Sequence, residues 1–192
     1  MIELRIHGRG GQGAVIASKL LAAALFKEGR SVQSFPAFGV ERRGAPVAAF
    51  LRVSDGPILL RCEITHPDGL IILDSTLIGA VDVSAGLKPG GGILINSARE
   101  PEWYADLAAR HRVGTVDAGA IALRHHLGSK TQPIVNTPIL GAFAAWSGMV
   151  ALDSVCEAIS EEVPTHRDEN IAAAREAALA VRGARLKEVE PV

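Results

Sequence analysis

The start of the chain restricts its folding most. Ile2 to His7 alternates apolar and polar residues, the period of a strand. Gly8-Arg9-Gly10-Gly11-Gln12-Gly13 follows without a break. Ala14 to Lys27 then repeats apolar residues at Val15, Leu20, Leu21, Ala24 and Leu25, the pattern of a helix. Gly29 is placed to end that helix, and Ser31 to Phe35 reads as a second strand. A strand, a glycine turn, a helix and a strand in succession predict a parallel sheet.

The same alternation continues downstream. Val47 to Val53 and Ile58 to Arg61 read as short strands around Ser54-Asp55-Gly56-Pro57, a hairpin or sharp reversal. Gly69 to Asp74, Ile93 to Asn96 and Val113 to Asp117 read as buried strands. Between them lie a short helix near Leu77 to Val83 and a helical segment from Glu100 to His111, with Pro101 in its first turn. After Asp117 the reading is helical: Ala118 to Leu127, ending at Gly128, then Thr137 as N-cap and Pro138 at the first position of a helix through Val150. Ser154-x-x-Glu157 and Thr165-x-x-Asp168 are capping patterns for two more helices, reaching about Glu162 and Val181. Trp146 and Met149 are assigned to the core. The expectation is one three-layer, Rossmann-like α/β domain over 1–182, with a mainly parallel sheet, a helical C-terminal part and a charged tail over 183–192.

Composition narrows the function classes. Hydrophobic residues make up 48% of the 192 residues and charged residues 21%, enough apolar material for a sizeable core. The net charge of -1 argues against a dedicated nucleic-acid binder. Residues 1–66 nevertheless hold nine basic and five acidic side chains, a bias that suits an anionic ligand or an acidic partner surface. Cys62 and Cys156 form neither a zinc nor an iron–sulfur pattern and read as reduced thiols. The apolar runs are too short to span a bilayer and the N-terminus lacks a signal-peptide pattern, so a cytoplasmic location is expected.

Gly8, Gly10 and Gly13 make a G-x-G-x-x-G between a strand and a helix, the context for cradling a phosphate. The same glycines suit any tight strand-to-helix turn. A dinucleotide site also wants an acidic residue at the end of the second strand, and Val32-Gln33-Ser34-Phe35-Pro36 has none. Arg42 and Arg43 sit in a Gly/Pro-rich loop and are suited to a phosphate or to a partner carboxylate. No G-x-S-x-G, H-E-x-x-H or G-K-[ST] is present, so no catalytic set and no metal set is read from the sequence. His7 reads as a structural histidine, the adjacent His125 and His126 as a poor metal pair, and Asp74 and Asp117, at the ends of buried strands, as caps of the segments that follow them or as acceptors of a polar group.

The glycine turn, Phe38-Gly39-Val40-Glu41-Arg42-Arg43-Gly44-Ala45-Pro46, Arg52-Val53-Ser54-Asp55-Gly56-Pro57-Ile58 and Asn136-Thr137-Pro138-Ile139-Leu140-Gly141-Ala142 occur in that order. In order and spacing they resemble the gamma subunit of 2-oxoacid:ferredoxin (acceptor) oxidoreductases, of which pyruvate:ferredoxin oxidoreductase (pyruvate synthase) is the best-known member. The resemblance runs from Met1 to about Ala178.

It implies a subunit of a multi-subunit enzyme that turns a 2-oxoacid and coenzyme A into an acyl-CoA, CO2 and reduced ferredoxin or another acceptor. Alpha, beta and delta-type subunits are the implied partners. Thiamine diphosphate, Mg2+ and iron–sulfur clusters are implied for the complex and none for this chain alone, which by itself is not catalytic. Gly8, Arg9, Gly10, Gly11, Gln12, Gly13, Arg42 and Arg43 are the implied contacts, either to coenzyme A or phosphate or to a neighbouring subunit. A stand-alone nucleotide- or CoA-binding module and an NAD(P)-dependent dehydrogenase remain open alternatives on the glycine motif.

Overall fold

Six strands form one sheet in a computed structural model that describes residues 1–37 and 43–184. In chain order the elements are β1 (Ile2–Arg9), α1 (Ala14–Lys27), β2 (Ser31–Pro36), β3 (Pro46–Ser54), β4 (Gly69–Ile72), β5 (Gly92–Asn96), α2 (Ala105–Ala108), β6 (Arg112–Val116), α3 (Ala118–Arg124), β7 (Gly128–Ser129), β8 (Gln132–Pro133), α4 (Asn136–Ser147), α5 (Leu152–Glu162) and α6 (Arg167–Ala180). The sheet order is β2-β3-β1-β4-β5-β6. β1, β4, β5 and β6 run parallel, and β3 is antiparallel to both β1 and β2. The fold is thus a mixed, mainly parallel α/β sandwich.

Alternation along the strands splits the core between two faces. Leu4, Ile6, Leu51, Ile71 and Leu94 face α1 and the α4–α6 group, which supply Leu21, Leu25, Phe143, Trp146 and Ile159. Leu70, Ile72, Ile93, Ile95 and Val113 face the opposite, thinner layer of Leu77, Val83, Leu87 and Leu107. That layer contains only short helical pieces: 3-10 turns at Ser75–Gly79 and Pro101–Tyr104, then α2. Trp146 and all of α4 except Ala145 are buried, as the apolar periodicity predicts, with Met149 packed partly against the core.

β1 and β2 run parallel, as the first strand–helix–strand unit predicts, with β3 inserted between them. Three expectations need correction. Ile58 to Arg61 is not a strand: β3 already has a partner on each side, and Leu59 is 85% exposed. A small β7–β8 hairpin interrupts the segment read as wholly helical. None of the three C-terminal capping patterns forms. α4 begins at Asn136 with Val135 at its N-cap, and Ala151 and His166 occupy the caps of α5 and α6 without side-chain cap bonds. Thr137 instead donates its hydroxyl to Asn170 Oδ1 in the interior (2.5 Å). The Ala151 N–H is taken by Glu28 Oε1 at 2.7 Å, a long-range partner that local pattern does not reveal.

The far edge of the sheet is covered as well. Arg182 forms an antiparallel bridge with Thr115 on β6, and Trp146 Nε1 donates to Ala184 O at 2.9 Å.

Candidate functional site

β1 and β4 are adjacent parallel strands whose following segments leave to opposite faces of the sheet. Their carboxyl ends therefore bound the crevice where α/β sheets commonly take ligands. The sequence places the glycine turn on one side of this crevice and Asp74 on the other. Gly11 and Gly13 have φ of +95° and +82°, a region that L side chains rarely adopt, and Gly13 caps α1. A Cβ on Gly13 would lie 2.7 Å from Asn136 Nδ2, so the start of α4 packs directly on the turn.

Side chains close the turn into a ring. The Arg9 N–H donates to Gln12 Oε1 at 2.7 Å, and Gln12 Nε2 donates to Asp74 Oδ2 at 2.9 Å. Arg9 Nε also reaches Asp74 Oδ2, at 3.1 Å. The remaining arginine nitrogens donate to Gly44 O and to Thr76 Oγ1. Asp74 Oδ1 accepts from both the N–H and the hydroxyl of Thr76, capping the 3-10 turn after β4 as predicted. Burial pushes the Asp74 carboxyl up. Bonds from Thr76 and Gln12, with the Arg9 charge, outweigh it and hold the group below its ordinary value.

The Arg-rich loop meets the same turn. Gly10 N–H donates to Ala45 O, Gly44 N–H donates to Gly10 O, and Arg43 forms a parallel bridge to Gly10. Arg43 Nη2 donates to Gln132 Oε1 at 3.2 Å, tying the loop to β8. Arg42 lies outside the described residues. Gly8, Arg9, Gly10, Gly11, Gln12, Gly13 and Arg43 thus gather in one place. Asp74, Thr76, Gln132 and Asn136 complete it. Asp74 was legible as a strand-end carboxylate, whereas the other three are brought in by tertiary packing.

The position beside β1 where a dinucleotide site needs the acidic end of a parallel strand is held by antiparallel β3, paired as Arg9 with Pro46. The polar residues on one face of the sheet are engaged internally. Arg5 Nε donates to His7 Nε2 at 2.9 Å, which puts the imidazole proton on Nδ1. Burial, then the Arg5 charge, lowers the His7 pKa to about 4, against a backbone bond to Val83. Arg52 is 1% exposed and donates to Glu3, Gln33 and Cys62 O. Asp117 caps α3 through the Ala120 N–H. His125 bonds to Glu176 rather than to a metal set. Among the described residues no three His, Cys, Asp or Glu side chains gather as a metal site. No described helix is long and apolar enough to cross a membrane.

This order of strands, with a glycine turn bound to the end of the adjacent parallel strand, defines a Rossmann-like α/β domain. The chain belongs to the pyruvate ferredoxin/flavodoxin oxidoreductase family, which it matches over residues 3–180, and it is a gamma-type subunit. It is 52% identical over 163 residues to the pyruvate/ketoisovalerate oxidoreductases common subunit gamma of Thermococcus kodakarensis, covering 84% of this chain and 86% of that one. It is 48% identical over 176 residues to the pyruvate synthase subunit PorC of Methanothermobacter marburgensis, covering 91% and 94%. The crystal structure of the pyruvate oxidoreductase subunit PORC of Thermotoga maritima superposes with a TM-score of 0.81 at 33% identity, over 96% of this chain and 98% of that one.

Proposed function

We propose that this chain is the gamma subunit of a cytoplasmic, thiamine diphosphate-dependent oxidoreductase acting on pyruvate or a branched 2-oxoacid, and that its task is to organise the assembly. The enzyme converts the 2-oxoacid and coenzyme A to acyl-CoA and CO2, and two electrons pass to ferredoxin. The observation that carries this reading is the near 50% identity, over most of both chains, to gamma subunits named for pyruvate and ketoisovalerate oxidoreductases.

Electron transfer belongs to the partner subunits. A cluster takes four cysteine thiolates and this chain has two cysteines, one exposed and one buried, so its residues do not fit the group. Thiamine diphosphate and Mg2+ are assigned to the alpha and beta partners. The organising role is supported by the use of Arg9 and Gln12. Their polar atoms are engaged with Asp74, Thr76 and Gly44, which leaves a rigid turn at the crevice rather than free side-chain donors. A turn fixed in this way presents a constant surface to neighbouring subunits.

Tagging this chain in its source and purifying it natively tests the reading. Co-purification of thiamine- and cluster-bearing subunits, with CoA-dependent viologen reduction by pyruvate or 2-oxoisovalerate, is the expected result. Recovery of a lone, colourless chain without activity would overturn it.

A further inference from the structure

A second feature lies beside the glycine turn. A cavity of about 620 Å3 opens between the first two turns of α1, the segment leading into β7, the start of α4 and the α5–α6 loop. Its wall is mainly apolar, with Leu20, Leu127 and Val163 inside and Ile16 and Ile134 at the rim, 52% and 43% exposed. A concave space with apolar walls and polar groups such as Asn136, Thr137, Thr165 and Asn170 among them is the usual form of a small-molecule site.

Two observations give it chemical character. Asn136 lines the cavity and is 7% exposed. Its Oδ1 accepts from the Thr137 N–H at 3.0 Å, while its Nδ2 donates to no described residue. Beside it, α1 begins: Ala17 is the first residue to donate back, to Gly13 O, so the N–H groups of Ala14, Val15 and Ile16 have no acceptor among the described residues. Lys19 adds a positive charge, and Glu162 is the one carboxylate in the lining. His126 and His166 also line the cavity, and their positive φ values, 58° and 53°, belong to helix ends: His126 follows α3 in a Schellman arrangement, with the Leu127 N–H on Ala122 O, and His166 caps α6.

We infer that this cavity binds an organic anion with an apolar body. The charged head sits at Asn136 Nδ2, beside the N-terminus of α1 and within the field of Lys19. The body lies against Leu20, Leu127 and Val163. An anion gains there from the helix dipole and from a charge-assisted bond to a donor with no partner among the described residues.

Equilibrium dialysis of the full chain with anilinonaphthalenesulfonate, and with neutral N-phenylnaphthylamine, tests this. The sulfonate is expected to bind at one equivalent, about tenfold tighter than the neutral analogue. The isosteric Asn136→Asp substitution is expected to remove that preference, and Lys19→Glu, on the exposed rim, to reduce it at an unchanged melting temperature. In the assembled oxidoreductase, Asn136→Asp should remove one equivalent of sulfonate per gamma chain. Displacement by 2-oxoisovalerate would mark a carboxylate ligand, and displacement by a nucleoside monophosphate a phosphate ligand; either supports the site. Equal affinity for the two probes, or indifference to both substitutions, would overturn it. So would an unchanged stoichiometry in the assembled enzyme, since a neighbouring subunit would then cover the cavity.

Discussion

Arg9 Nε lies 3.1 Å from Asp74 Oδ2, and this pair joins the turn after β1 to the carboxyl end of β4. The same carboxylate receives Gln12 and Thr76, so one acidic residue holds three segments. Replacing Asp74 with Asn leaves the Arg9 charge without its partner. Asp74→Asn should destabilise the chain by about 1–3 kcal/mol, read from the urea midpoint at neutral pH. Because the folded carboxyl sits below its ordinary value, its contribution is present above the unfolded pKa, about 3.9, and is lost as pH falls through the folded one. The gap between wild type and variant should therefore narrow below about pH 4.

Gly13 combines a φ of +82° with a close approach to Asn136. Gly13→Ala adds a Cβ where Asn136 Nδ2 already lies and forces an L residue into the left-handed region. A loss of about 1–3 kcal/mol in thermal or denaturant stability is expected. Gly79 has no atom within 4 Å of an added Cβ and its φ is not positive, so Gly79→Ala serves as a control with little effect.

His7 is held neutral, with a pKa of about 4. The unfolded chain takes up a proton near pH 6.5 while the folded chain does not, so stability falls as pH drops from about 6.5 towards 4. The loss attributable to His7 is about 1–3 kcal/mol. In His7→Gln, which does not titrate, urea midpoints measured across that interval should depend less on pH than in the wild type.

Arg52 is a fully buried guanidinium whose fork is matched by Glu3, Gln33 and the Cys62 carbonyl. Lysine keeps the charge but cannot serve three acceptors in that geometry. Arg52→Lys should cost roughly 1–3 kcal/mol and Arg52→Ala about 3–5 kcal/mol, measured as shifts in denaturant midpoint.

The parts of the fold governed by local periodicity were legible from the sequence. The limits of α1 and the strands β1, β2, β4, β5 and β6 follow from apolar spacing and from Gly13 and Gly29 at the ends of α1. What was not legible depends on distant partners. β3 inserts between β1 and β2 through long-range pairing, and Glu28 satisfies the Ala151 N–H that a local cap would otherwise take. The candidate site divides in the same way. The glycines, Arg9, Gln12 and Asp74 were visible as a motif and a strand end. Gln132 and Asn136 arrive from a hairpin and a helix more than a hundred residues later, and only folding shows that they touch the turn.

Restoring the purified partner subunits with and without this chain, and assaying CoA-dependent oxidation of pyruvate and 2-oxoisovalerate, tests the central claim most directly. Activity should be absent or low without the chain and should saturate at one equivalent of it. The KM for coenzyme A should be the same for wild type and Arg43→Ala. Full assembly and activity without the chain would contradict the account. A KM for coenzyme A raised by Arg43→Ala in a fully assembled enzyme would contradict the organising role and move coenzyme A onto this loop.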